Sequence, residues 1–192
     1  MTVQIENRDN GIQIVRLTGA SASKSFSRES LPIIADAIDK GLKNSEIKGM
    51  VITGEGKFFS AGADINAFQE SIEANEAPQL IRDLTNILHP LLMRIRESAT
   101  IVVAAINGAA AGGGLGLALA CDARIASPKA KLAASYASIG LSPDGGTTWL
   151  LPRLVGEQRS RQFFFENQIW NAEESANAGA IDEVVNEDEL IN

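Results

Sequence analysis

Histidine, cysteine and tyrosine each occur once in the 192 residues, as His89, Cys121 and Tyr136, and this scarcity removes several chemistries at the outset. A single cysteine closes no intrachain disulfide and fits a reducing compartment, read here as the cytoplasm. Cys121 ends a run of small apolar residues, the setting of a buried structural thiol rather than a nucleophile. With one histidine and one cysteine there is no zinc-type ligand cluster, so no metal site is expected. A Ser-His or Cys-His pair would have to use His89. Basic charge is short as well: 17 Lys and Arg against 24 Asp and Glu leave a net charge of −7 and a pI near 4.8. Without a basic excess to neutralise phosphates, nucleic acid is not an expected partner, although a local basic spot can hold a small phosphorylated ligand.

Long hydrophobic runs are almost absent. The N-terminus, Met-Thr-Val-Gln-Ile-Glu-Asn-Arg, has no stretch of the signal-peptide kind. Between residues 101 and 121 the only strongly polar side chain is Asn107, and the length would suit a membrane span. Asn107-Gly108 and Gly112-Gly113-Gly114 interrupt it, so it reads as strand, turn and interior helix, with no membrane partner. What is present, 45% hydrophobic and 21% charged residues, suits a globular chain with one core, taken as a single domain over 1–192.

Alternation and turn residues predict a hairpin of residues 3–5 and 11–17 about Asp9-Asn10-Gly11. Helical spacing of Leu31, Ile34, Ala35, Ile38 and Leu42 predicts a helix over about 28–43. A buried strand over 50–53 runs into a loop over 54–64. A second amphipathic helix covers about 78–97, opened by Pro78. Residues 101–106 form another buried strand, 113–120 a helix apolar on every side, and 123–126 a strand. Ser142-Pro143-Asp144 resembles a helix start, with a serine cap, a first-turn proline and an acid at the positive dipole end. Strand, glycine turn and helix thus recur, which is α/β logic without a linker or repeat of low complexity.

The glycines match no dinucleotide fingerprint, no Walker lysine follows them, and no Gly-x-Ser-x-Gly elbow is present. Two turns remain that can present bare backbone N–H groups, one at Gly62-Ala63-Asp64 and one at Gly112-Gly113-Gly114. Aimed at one point, two such donors stabilise charge developing on a carbonyl oxygen, each worth roughly 10²–10³ in rate. The same glycines would also serve tight helix-strand packing, and spacing alone does not choose between the two.

Phe59-Ser60-Ala61-Gly62-Ala63-Asp64-Ile65 resembles the F-[SA]-A-G-A-D-[IL] loop of the enoyl-CoA hydratase/isomerase (crotonase) superfamily. Ile106-Asn107-Gly108-Ala109-Ala110-Ala111-Gly112-Gly113-Gly114 resembles its [IV]-N-G-x-[AC]-x-G-G-G signature, in the same order and at a similar separation. The resemblance implies the crotonase fold of repeated ββα units, a trimer or a hexamer built as a dimer of trimers, and an acyl-CoA thioester as partner. Coenzyme A would enter as part of the substrate, with no bound cofactor. By the match, the Ala63 and Gly113 N–H groups form the oxyanion hole. Ala22, Ser23 and Ser25, in the place of the family's x-x-N-A-L segment, would curl round coenzyme A with Ala61, Asp64, Ile65 and Gly112. Lys24 stands where that segment has asparagine. Asp64 also reads as a plain helix cap.

The superfamily's hydratases use two glutamates, and the corresponding positions here are Gly116 and, by ungapped count, Tyr136, so two-glutamate water addition is disfavoured. The run from Ile139 to Gly156, with Ser142-Pro143-Asp144 at its heart, resembles a subgroup related to the isomerases of phenylacetate degradation, in which the aspartate after proline is the base. The resemblance therefore implies an enoyl-CoA isomerase with Asp144 as base, kept ionised by the dipole of its helix. As an ordinary residue Asp144 reads as an N-terminal helix acid. His89 resembles in position the active-site histidine of the superfamily's 4-chlorobenzoyl-CoA dehalogenases, which keeps a dehalogenase-like or hydrolytic reaction open. A hydratase using another acid stays open as well, as does a catalytically silent acyl-CoA-binding paralogue. Tyr136 and Trp149 are candidates for the acyl pocket, or aromatic core residues. Family members usually continue past the point where this sequence stops, through helices that cover the acyl pocket, so a C-terminal helical region is expected to be missing.

Overall fold

The computed structural model describes residues 3–192. Strands β1 (Val3–Asn7) and β2 (Ile12–Leu17) pair antiparallel as the expected hairpin. A one-turn helix α1 (Ala20–Ser23) follows, then α2 (Ser30–Leu42), which buries Leu31, Ile34, Ala35 and Ile38 on the stripe anticipated from their spacing.

From there the chain repeats one plan. Strand β3 (Gly49–Thr53) joins a large sheet, β4 (Phe58–Ser60) a smaller one, and helices α3 (Ile65–Glu73) and α4 (Ala77–Glu97) follow. Strand β5 (Ile101–Ile106) enters the large sheet, β6 (Ala109–Ala111) the small one, and α5 (Gly113–Ala120) follows. Strands β7 (Ala123–Ala126) and β8 (Lys131–Ala133) divide in the same way before α6 (Thr147–Val155) and α7 (Glu157–Phe165). Strand β9 (Ile169–Asn171), α8 (Ala172–Ala178) and β10 (Glu183–Val184) close the two sheets. The large sheet runs β1-β2-β3-β5-β7-β10, parallel from β2 onward, and the small one β4-β6-β8-β9.

Repeated ββα units are therefore present. The central strands carry near-continuous apolar sequence because both of their faces are covered. Helix α5 is buried from Gly114 to Ala120, which explains its apolar residues on every side. The apolar run 101–121 resolves into β5, a turn, β6 and α5, and among the described residues no helix is long and apolar enough to cross a membrane. The Cys121 thiol donates to the Leu117 carbonyl at 3.3 Å, and burial pushes its pKa up to about 12, out of nucleophile range.

Two expectations are corrected. Residues 54–64 are not a plain loop, since β4 lies within them; three residues are too few for alternation to reveal a strand. The helix expected to start at Ser142 starts at Thr147, capped by Gly146 in a left-handed conformation (φ 71°). Asp144 consequently sits on a turn ahead of the helix, not in its first turn.

Candidate functional site

The site grows from the two strand-to-helix turns. After β4, Ala61-Gly62-Ala63 leads to Asp64, whose Oδ1 caps α3 by accepting from the Asn66 N–H at 3.1 Å. Its Oδ2 pairs with Lys24 Nζ at 2.8 Å, and that ammonium holds the Asp64 carboxyl below the usual carboxylate range. After β6, Gly112 turns the chain into α5.

Asn107 joins the two turns. Its Oδ1 accepts from the Gly54 N–H at 2.8 Å, and its Nδ2 donates to the Phe58 carbonyl at 3.1 Å and to the Gly56 carbonyl at 3.2 Å. The amide of the second signature thereby staples the loop that leads to the first. The turns themselves touch: a Cβ on Gly62 (φ 80°) would meet the Ala111 carbonyl oxygen at 2.6 Å and lie 3.5 Å from Gly113 N. Only glycine permits that approach. Neither the Ala63 nor the Gly113 N–H donates to a protein acceptor among the described residues.

The segment 22–26 runs beside the first turn, as its family counterpart would. Ala61 N–H donates to the Ala22 carbonyl at 2.8 Å, and Phe26 N–H to the Gly62 carbonyl at 3.0 Å. Individual side chains depart from expectation, however. Ser25 is fully buried, donating to the Ala22 carbonyl at 3.2 Å and accepting from Ser60 Oγ at 2.8 Å. Ala22 is buried too, and the exposed Ser23 turns its hydroxyl back to Gly19 O at 3.1 Å. None of the three lines the cavity, so they shape the turn from behind. Phe26 is the residue of this segment that reaches it.

The cavity, of about 350 Å³, opens above both turns. Ala61, Ala63, Gly112 and Gly113 form its floor, with Ile65, Phe68, Leu84, Leu88 and Ile139 among its apolar walls. His89, Ser135, Tyr136, Ser142 and Asp144 bring polar atoms to it. Asp64 lies outside, on a neighbouring groove with Lys24. Leu84 and Leu88 were legible as a buried helical stripe; that the stripe faces a cavity was not.

Asp144 is the only carboxylate lining the cavity among the described residues. Its carbonyl is held by Thr147 Oγ1 at 2.8 Å, Thr147 N–H at 3.1 Å and Tyr136 Oη at 3.3 Å. Burial raises its pKa above the ordinary carboxylate value, opposed by a hydrogen bond from Tyr136 and by the charge of His89. The expected support from a helix dipole is corrected: Asp144 lies three residues ahead of the first residue of α6, and burial is the largest influence on its carboxyl.

Gly116, where the superfamily's hydratases have an acid, faces the turn that carries Asp144. A Cβ there would sit 2.4 Å from the Gly145 carbonyl oxygen, so the backbone of the Asp144 turn occupies the space a side chain would need. Tyr136, which an ungapped count sets at the other acid's position, is buried. His89, exposed on α4, faces the same cavity as Asp144. Trp149 does not: it is 63% exposed on α6, with the Arg153 guanidinium 3.1 Å from its ring centroid. No three His, Cys, Asp or Glu side chains gather as a metal-ligand set among the described residues.

Comparison with known proteins agrees with this geometry. The family model described as enoyl-CoA hydratase/isomerase matches residues 7–192. A relative from Mycobacterium tuberculosis, named a probable enoyl-CoA hydratase, is 33% identical over 171 residues, which cover 89% of this chain and 65% of that protein. The chain thus spans less than two thirds of that relative's length. The 1,2-epoxyphenylacetyl-CoA isomerase of Escherichia coli is 31% identical over 183 residues, which cover 95% of this chain and 69% of that protein. The solved structure of DspI from Pseudomonas aeruginosa superposes with a TM-score of 0.87 at 33% identity, covering 99% of this chain and 75% of the other. The architecture is the crotonase fold, and the chain belongs to the enoyl-CoA hydratase/isomerase family.

Proposed function

We propose that the protein is an acyl-CoA enzyme that moves a carbon-carbon double bond, as an enoyl-CoA isomerase, with Asp144 as the proton-transferring base. The observation that carries the reading is the cavity's composition: two backbone N–H groups at its floor with no protein acceptor among the described residues, and one carboxylate in its wall. A 3-enoyl thioester seated with its carbonyl oxygen on the Ala63 and Gly113 N–H groups presents its C2 proton to the wall. Asp144 takes that proton, and the electron pair moves into the conjugated dienolate, whose oxygen charge the two donors stabilise. Return of the proton to C4 gives the 2-enoyl thioester, with no net gain or loss of atoms. Water addition by two acids finds no support, since Gly116 and Tyr136 occupy the places of both.

Coenzyme A enters as part of the substrate, its path following residues 61–65 and the adjoining segment 22–26. Exposed Trp149 and Phe165, the latter 83% accessible, support a homo-oligomer in which another protomer covers apolar surface. One further observation favours a second reading: His89 shares the cavity with Asp144, an arrangement that also suits hydrolytic chemistry on an acyl-CoA. Ultraviolet absorbance of a 3-enoyl-CoA panel separates the two, since conjugation with the thioester changes the spectrum. A rise that disappears in Asp144→Asn supports isomerisation; a flat trace accompanied by release of free coenzyme A overturns it.

A further inference from the structure

The single tyrosine of the chain stands where the fold needs no hydroxyl for packing. Tyr136 is 5% exposed, and its ring packs against Phe164 at a centroid distance of 6.4 Å, a contact phenylalanine would make equally well. Its hydroxyl donates to the Asp144 carbonyl oxygen at 3.3 Å. We propose that Tyr136 is a positioning residue, whose phenol fixes the Asp144 turn through its backbone carbonyl so that the carboxylate faces the thioester as a base. This rests on the reading of Asp144 as the proton-transferring group.

Three elements meet at that carboxylate. Burial within the cavity wall disfavours its charged form, and the Tyr136 hydroxyl and the His89 imidazole on α4 favour it. Of the two favouring groups, His89 is exposed to solvent and its field is screened, whereas the phenol is buried and tied to the acid's own backbone. Burial also drives the phenol's own ionisation well above its ordinary range, so it remains a donor at every working pH. Thr147 Oγ1 anchors the same Asp144 carbonyl at 2.8 Å, so two hydroxyls converge on the backbone of the acid.

The chain's one tyrosine makes a direct test available. Protein labelled with 3-fluorotyrosine carries a single ¹⁹F resonance, which is expected to shift with pH as Asp144 titrates and to lose that inflection in Asp144→Asn. In parallel, Tyr136→Phe is expected to lower kcat for 3-enoyl-CoA by about tenfold at neutral pH with little change in KM. The acid limb of kcat/KM should then move to higher pH, because the phenol beside the carboxylate favours its charged form. A ¹⁹F resonance that ignores Asp144, or an acid limb unmoved by Tyr136→Phe, overturns the proposal. A ¹⁹F inflection combined with full turnover in Asp144→Asn overturns the base assignment instead, and the two failures are thereby told apart. The labelled parent keeps the test independent of how well Tyr136→Phe folds.

Discussion

The two sides of the cavity are built by opposite means. On the floor, the Ala63 and Gly113 donors belong to the backbone, and everything around them is tied down: Asn107 staples the turns, Gly62 lets them touch, and α5 is buried along its length. On the wall, Asp144 is a side chain on a loop whose outer residues, Ile139 and Leu141, are 41% and 36% exposed. The Thr147 and Tyr136 hydroxyls hold that loop at the Asp144 carbonyl oxygen, and the Tyr136 carbonyl accepts from the Leu141 N–H at 3.1 Å. A fixed dipole pair can stabilise charge without reorganising. A proton carrier, by contrast, has to be tuned by neighbours. In the proposed mechanism, the general part of thioester chemistry falls to the backbone and the reaction-specific part to a few replaceable side chains.

The sharpest way to break this division is Asp144→Asn. Turnover is expected to fall by about 10²–10⁴, read by ultraviolet absorbance, while binding of a non-reactive coenzyme A thioester stays at parental affinity by calorimetry. The sign for stability is the reverse. A carboxylate whose folded pKa is raised by burial favours the native state when protonated, and that contribution is lost as pH rises through the folded value. The neutral amide should therefore leave the melting temperature near pH 7 unchanged or higher.

Gly116→Glu tries to give the floor an acid. With Gly145's carbonyl 2.4 Å from the new Cβ, the Asp144 turn must shift, at a cost of about 1–3 kcal/mol in denaturant titration. Isomerase activity is expected to fall and no hydration of crotonyl-CoA to appear. Gain of robust hydration would show that the turn yields readily and that the wall is less constrained than its contacts suggest.

Asn107→Ala loosens the floor alone. It strips the Gly54 N–H and the Phe58 and Gly56 carbonyls of their partner, for a loss of about 1–3 kcal/mol measured by chemical unfolding. Coenzyme A thioester binding should weaken with it, and the pH at which the acid limb of turnover falls should stay where it was. Movement of that limb would mean that floor and wall are coupled.

The smallest effect belongs to Lys24→Met. Asp64 has a depressed folded pKa, so it contributes stability above the ordinary carboxylate value that is lost as pH falls through the folded one. Removing the ammonium raises that folded pKa. The acid-unfolding midpoint should move slightly to higher pH, with stability near pH 7 almost unaltered because the lysine is exposed.

How much of this was legible depended on the range over which each signal acts. Strand β5, helix α5 and strand β7 lie at the bounds read from the residues, and α4 begins one residue earlier than its proline suggested. Each is long or strongly patterned enough to carry its own hydrophobic period. The three-residue strands β4, β6, β8 and β9 are not, and they are strands because a neighbouring segment pairs with them. At the site, paired glycine motifs announced where the donors would lie. That Ala22, Ser23 and Ser25 lie behind the first turn and outside the cavity was not legible, since which face a short helix presents is a tertiary outcome. Ser142-Pro143-Asp144 satisfied every local rule for a helix start and was still bypassed, as Gly145 and Gly146 both adopt left-handed conformations that carry the chain past it.

The amino-acid sequence by itself determined the alternation of strand, glycine turn and helix, the want of a second acid at Gly116 and Tyr136, and the candidate base at Asp144. These follow from residue identity and local spacing, which need no partner in space. The tertiary structure alone decided that the two turns touch, that Gly145 fills the space beside Gly116, that Trp149 faces solvent, and that burial raises the Asp144 pKa. Those outcomes depend on contacts between segments far apart in the chain, where desolvation and steric exclusion act on whatever residue the fold brings near.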